Sequence, residues 1–349
     1  MPTPIQTAFL KETLLKCTGY SPEFIDPQFP VNHESIVPKK LRSVYPTVEG
    51  NKKGILQYTG LSVLYHSKRK VPFVCAYNID GSKKSNTVKR ASKFRNDPRM
   101  PEDIQLSEAF YDLRKGEKET EFEIGHMAAN NEMAWGTNAQ LQSYQTFHFP
   151  NSVPQAEKLN TGIWKSLETY LIKESATVKN NKRIAVFTGP VLTDKDPAYV
   201  EDASFQIPLL FYKVIVFMTP KGLYSTAFVM SHEERLKELN LFVVPKRIIK
   251  KAMTETFFDD FEYKKVFQVN VETLEELTGL KFSWKGVKKL KLPVDKNQIQ
   301  KIRAVKDAAD AANMKGIKGI MVPKRMLTDA PLTDKEIKEK KFKLNVFLP

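Results

Sequence analysis

The chain's imidazoles and thiols are few: His33, His66, His126, His148 and His232, with Cys17 and Cys75. No two histidines fall into an HxxxH or HExxH pair that would set two rings on one helix face, so a zinc hydrolase is not expected. Two cysteines without a CxxC spacing exclude a cysteine zinc knuckle and a disulfide framework, which fits a reducing compartment. Gly125-His126 differs in context. It follows the extended, acidic piece TEFEI and leads into MAANNEMAW, which places the imidazole where a strand gives way to a loop or helix. Such junctions commonly carry chemistry. A single Gly-His also has purely structural uses.

The second chemical stretch is TFHFPNSVPQAEKLNTGIWKSLETYL. Asn151 and Asn160 bracket a proline-containing turn, and Glu168 follows Asn160 by two helical turns, a rise of about 12 Å. At that separation two short side chains cannot both bind one cation. Asn160 could ligate directly while Glu168 reaches through water. The alternative is ordinary: Asn160 caps a helix and Glu168 is a solvated acid.

A formal net charge of +15 suits a polyanionic partner. Residues 281–349 hold 18 Lys/Arg against 7 Asp/Glu, so this tail carries most of the excess. A second basic group comprises Lys83, Lys84, Lys89, Arg90, Lys93, Arg95 and Arg99, with Phe94 interleaved. Near a hydrolytic centre it could neutralise phosphate oxygens; elsewhere it is a solvated loop. Trp284, in KFSWKGVKKLKL, could stack a base.

These groups must be positioned by a core. With 41% apolar and 27% charged residues, the 349-residue chain has the composition of a globular protein. The N-terminus lacks a basic start followed by a sustained apolar run, so a standard export signal and membrane spanning are not expected. Residues 1–53, broken by Pro22, Pro27, Pro30, Pro38 and Pro46, read as a helix and an irregular lead-in. LQYTGLSVLYH and VPFVCAYNIDG read as a strand pair, and RIAVFTGPVL, PLLFYKVIVFM and LYSTAFVM as central strands. Helices are expected at EIGHMAANNEMAW, over 155–173, at 271–279 and over 295–314. The class is mixed α+β. The expected division is a lead-in at 1–53, a main domain at 54–280 and a basic extension at 281–349.

From the Gly-His onward the sequence resembles the DNA/RNA non-specific endonucleases, whose ββα-metal (His-Me finger) site carries Asp-Arg-Gly-His followed by an Asn and a Glu on one helix. The matching pieces are FEIGHMAANNEMAWG, FHFPNSVPQAEKLNTGIWKSLETY and RIAVFTGPVL, with YNIDG and FRNDPRMP upstream and IPLLFYKVIVF and LYSTAFVM downstream. The resemblance implies a central, mainly antiparallel sheet flanked by helices. It implies His126 as general base, Asn160 as direct metal ligand, Glu168 as the acid holding water in the metal's shell, and Asn151 as a residue that orders the site. The implied ion is Mg²⁺, with Mn²⁺ tolerated, and the implied reaction is cleavage of DNA and RNA leaving a 5′ phosphate.

Two positions depart from that pattern. Asp-Arg is replaced by Glu123-Ile124, which keeps a carboxylate and loses a guanidinium, and Ile172 stands where some members carry arginine. Arg90 or Arg95 is expected to supply the missing charge. Loss of the arginine also suits a nucleic-acid-binding protein with weakened catalysis, and a phosphodiesterase acting on a small nucleotide is a third reading. A nuclease in the cytoplasm, or exported by a non-standard route, would call for restraint by an inhibitor, a regulatory partner or oligomerisation.

Overall fold

The computed structural model describes residues 3–114, 122–156, 163–173, 183–194, 196–243, 266–292, 299–302 and 320–326. Its strands are β1 (Ile55–Tyr58), β2 (Leu61–His66), β3 (Val71–Asp80), β4 (Phe122–His126), β5 (Ser152–Ala156), β6 (Arg183–Val191) and β7 (Ala198–Tyr199). Then come β8 (Leu210–Thr219), β9 (Gly222–Ser231), β10 (Phe242–Val243), β11 (Val266–Val269), β12 (Val287–Lys289), β13 (Ile299–Ile302) and β14 (Ile320–Met326).

Ten of these strands form one sheet in the order β1-β2-β3-β6-β8-β9-β11-β14-β13, with β12 also on β9. Every pairing along that order is antiparallel. β12 runs parallel to β9 at Leu223–Ser225, and β11 takes the same edge from Ala227 onward. The apolar, β-branched runs explain the centre. All ten residues of β3 are buried, as expected of a strand covered on both faces. The segment read as one strand, LQYTGLSVLYH, is itself a hairpin: Gly60 turns at φ 74° between β1 and β2.

The two faces of the sheet have different covers. On one, Tyr58, Tyr65, Tyr77, Ile184, Ile215 and Phe228 pack with Met127, Phe149, Val153, Trp164, Leu167 and Leu171. These latter residues come from β5, the segments flanking it and β4, and the helix Ile163–Lys173. On the other, Leu64, Phe187, Val214 and Val229 pack with the lead-in residues Tyr20, Val31, Ile36 and Val37 and with Leu274, Leu280 and Phe282. The ββα arrangement is therefore present as β4, β5 and the Ile163–Lys173 helix, laid on the first face.

Three local expectations change. EIGHMAANNEMAW is β4 followed by bends and turns, because β4 finds a five-residue antiparallel partner in β5. Residues Ile299–Ile302, placed in a helix by their apolar spacing, pair with β14 as a strand; 303–314 lie outside the described residues. Trp284 does not present itself for base stacking. Its ring stacks on Phe187 at 5.0 Å and its indole N–H donates to the Asn32 carbonyl. The helix at 271–279 forms as Val271–Thr278, with Gly279 in the left-handed conformation as its cap. Residues 281–292 are tied into the same body: Phe282 is fully buried and β12 lies on β9.

Candidate active site

His126 is the last residue of β4, directly opposite Ser152 in β5. The ribbon ends there because the chain turns under Asn151. The Met127 N–H donates to the Asn151 carbonyl, and the Ala128 N–H donates to the Asn151 side-chain oxygen. The Asn151 amide nitrogen donates in turn to the carbonyls of Ala128 and Thr146. Fully buried, Asn151 uses its whole amide to fix the backbone just after the histidine.

The imidazole itself is buried between Phe94 and Phe147, with ring centroids 4.6 Å away in each case. Its Nε2 has no hydrogen-bond partner among the described residues. Burial, reinforced by the positive charge of Arg90, pushes its pKa down to about 3, so at neutral pH it is the free base. Arg90 lies with its guanidinium 5.4 Å from the centre of the Phe147 ring. Arg95 points its charge elsewhere, 5.1 Å from the centre of the Phe9 ring. Arg99 is not a phosphate contact: it is buried and chelates Asp97 through Nε at 3.0 Å and Nη2 at 2.7 Å.

Gly125 has a packing reason. A Cβ there would fall 2.0 Å from Oε1 of Gln155, whose side chain occupies that space fully buried. Neither amide atom of Gln155 has a partner among the described residues. Glu123 is half-buried opposite Gln155 in the ladder. The two positions where arginine would be expected are apolar and packed: Ile124 against the main core, Ile172 buried at 6% exposure.

Glu168 lies on the Ile163–Lys173 helix, above the buried Trp164 and Leu167 and Leu171 stripe. Its carboxylate is 4.0 Å from Nζ of Lys213, a lysine of β8 with no exposed surface. Lys213 also donates to Glu132, at 3.0 and 3.1 Å, and to the Tyr77 hydroxyl at 2.8 Å. Tyr77 donates to Glu132 at 2.6 Å. Burial and the neighbouring Glu132 raise the pKa of Glu168 to about 8, against the opposing charges of Lys213 and Lys165. Glu132, Lys213, Tyr77 and Gln155 were not singled out from the sequence. The available signal was one lysine inside the apolar run PLLFYKVIVFM.

The profile of the DNA/RNA non-specific endonuclease family matches residues 41–289, which spans β1 to β12 and includes every element just described around His126. The chain belongs to that family. Several proteins are similar to the chain at 25–29% identity. The protein y4fB of Sinorhizobium fredii (strain NBRC 101917 / NGR234) is 29% identical over 225 residues, 62% of this chain and 33% of that protein. The mitochondrial nuclease EXOG of Xenopus laevis is 25% identical over 232 residues, 65% of this chain and 57% of its own. Human mitochondrial EXOG is 26% identical, over 64% of this chain and 55% of its own. The chain thus matches from a third to just over half the length of these relatives. A crystal structure of the EndoG/EndoGI complex is similar at a TM-score of 0.47 and 20% identity, covering 70% of this chain and 91% of that one.

The donor set can be compared with the ion that such a family implies. Among the described residues no three His, Cys, Asp or Glu side chains converge into a metal cage. Among the described residues, the helix Ile163–Lys173 contributes one carboxylate, on Glu168. Asn160 lies outside the described residues. A sparse oxygen set fits a hard cation that keeps most of its water, and does not fit zinc.

Proposed function

We propose that this chain is a metal-dependent endonuclease that hydrolyses the phosphodiester bonds of DNA and RNA without sequence preference. The observation that carries the reading is His126: a neutral, buried imidazole at the end of β4, whose Nε2 has no partner among the described residues. A general base must be unprotonated and must not spend its lone pair on the protein.

In this reading His126 takes a proton from the attacking water. Asn151 holds the turn that sets the ring's position, and Phe94 and Phe147 fix its plane. Asn160 and Glu168 would hold Mg²⁺, with Mn²⁺ accepted, Asn160 directly and Glu168 through water. When bound, the ion supplies charge stabilisation to the pentacovalent phosphorus and the departing 3′ oxygen, so the product carries a 5′ phosphate. Arg90, beside the histidine, is the better placed of the two arginines to meet a phosphate oxygen. Glu123 keeps the carboxylate of the family motif. Sequence tolerance follows because these groups address the phosphodiester, which all nucleotides share.

One observation favours a second reading. Ile124 and Ile172 are packed into the core where guanidinium groups would be expected, which suits a nucleic-acid-binding protein with weakened catalysis. Incubating the full chain with supercoiled plasmid and with single-stranded RNA, in Mg²⁺ or chelator, separates the two. Metal-dependent loss of both polymers, abolished in His126→Ala, supports the nuclease. Binding without cleavage in Mg²⁺ supports the second reading.

A further inference from the structure

Lys213 is a fully buried lysine in the middle of the sheet. An unpaired ammonium with no exposed surface would lose several kcal/mol of hydration, so its retention in an apolar strand needs compensation. Glu132 and Tyr77 provide it, and they leave Lys213 aimed at a third group. The ammonium lies over the rings of Tyr77 and Trp164, 5.5 and 5.4 Å from their centres, and these two walls restrict its sideways movement. Among the described residues, a further ion-pair neighbour is Glu168, at 4.0 Å, whose side chain keeps 13% of its surface exposed. The paired carboxylate is sealed and the other opens outward.

We propose that the buried Glu132–Lys213 pair is a positioning device for Glu168: Glu132 fixes the ammonium, the ammonium orients the Glu168 carboxylate, and the pair together contributes no net charge to the cation site. The inference rests on the reading of Glu168 as a holder of the metal's water. Its physical content is that a lone Lys213 would repel a divalent cation, whereas a Lys213 neutralised by Glu132 can steer Glu168 without that repulsion. The same pair ties the turn after His126 to the sheet. Glu132 lies in the turn that follows His126, its Oε2 accepting the Ala129 N–H at 3.1 Å, while Lys213 lies in the sheet beneath.

The test is Mg²⁺ binding by the full chain without nucleic acid, measured by calorimetry. Glu132→Gln keeps the shape and removes the neutralising charge, and is expected to weaken Mg²⁺ binding roughly tenfold. The double variant Lys213→Met, Glu132→Leu removes both charges; such replacements of buried pairs are commonly tolerated. It is expected to bind Mg²⁺ within about twofold of the parent and to cleave more than about tenfold more slowly at saturating Mg²⁺, because Glu168 is no longer oriented. Circular dichroism and a melting curve confirm that each variant is folded. Folded variants with unchanged affinity and unchanged turnover would overturn the proposal, since a purely structural pair shifts only the melting temperature. If the parent chain neither binds Mg²⁺ nor cleaves, the reading of the site itself has failed, and the inference with it.

Discussion

The Phe147 ring meets the His126 imidazole edge-on, with centroids 4.6 Å apart and planes at 82°, and carries the Arg90 guanidinium 5.4 Å from its own centre. One aromatic ring thus couples the proposed base to an exposed cation. It also explains why two arginines of the same basic segment differ: Arg95 is turned to Phe9, on the side of the N-terminal helix Pro4–Ala8.

Arg90→Ala is expected to lower the cleavage rate by about tenfold and to reduce the slope of log affinity against log salt by about one. Arg95→Ala is expected to leave the rate within about twofold, its cation being held over Phe9. Plasmid nicking at several salt concentrations measures both. Equal losses in the two variants would dismiss the distinction.

Gly125→Ala drives a methyl group into the buried Gln155 side chain, 2.0 Å from Oε1 and 2.3 Å from Cδ. Overpacking of this kind costs about 1–3 kcal/mol, and urea denaturation should show it. Adding Gln155→Ala removes the clash and should recover most of the loss. A neutral Gly125→Ala would mean that Gln155 has another place to lie.

Asp97 is buried with Arg99, and the pair also receives the Tyr58 hydroxyl at 2.7 Å. Burial alone would push the Asp97 carboxyl up; the Arg99 guanidinium and its hydrogen bonds outweigh this and hold it below the usual carboxylate range. Asp97→Ala leaves an uncompensated cation tied to the carbonyls of Leu14 and Gln57, at an expected cost of about 3–5 kcal/mol. Denaturant midpoints of the parent and variant decide it; a shift below about 1 kcal/mol would contradict the assignment.

His33 sits in the lead-in, edge-on to Tyr20, with both ring nitrogens buried and without a partner among the described residues. Burial lowers its pKa from 6.5 to about 4, with Lys53 assisting and Glu34 opposing. The unfolded chain therefore takes up a proton at a pH where the folded chain does not. Stability from this site is complete above pH 6.5 and is lost as pH falls toward 4, by about 3 kcal/mol in all. In His33→Gln the urea midpoint should fall less steeply across that window. Parallel profiles would show that His33 is hydrated in the folded state.

Local order was legible because it is written in spacing. The β-branched runs became β3, β6, β8 and β9, the capped piece VETLEELTG became a helix, and Gly125-His126 stands at a strand end as its flanks suggested. Spacing misled where a partner strand outweighed helical periodicity, at EIGHMAANNEMAW and at Ile299–Ile302. It was silent on which charges would meet. Glu132 and Lys213 are 81 residues apart, and only the register of β8 in the sheet, with the turn after His126 laid across it, brings their charges to 3.0 Å. The sequence by itself determined the central strands β3, β6, β8 and β9, the family pattern and the residue types available for chemistry. Tertiary structure decided which of them are desolvated, because burial and pairing of a charge depend on long-range packing that no local window contains.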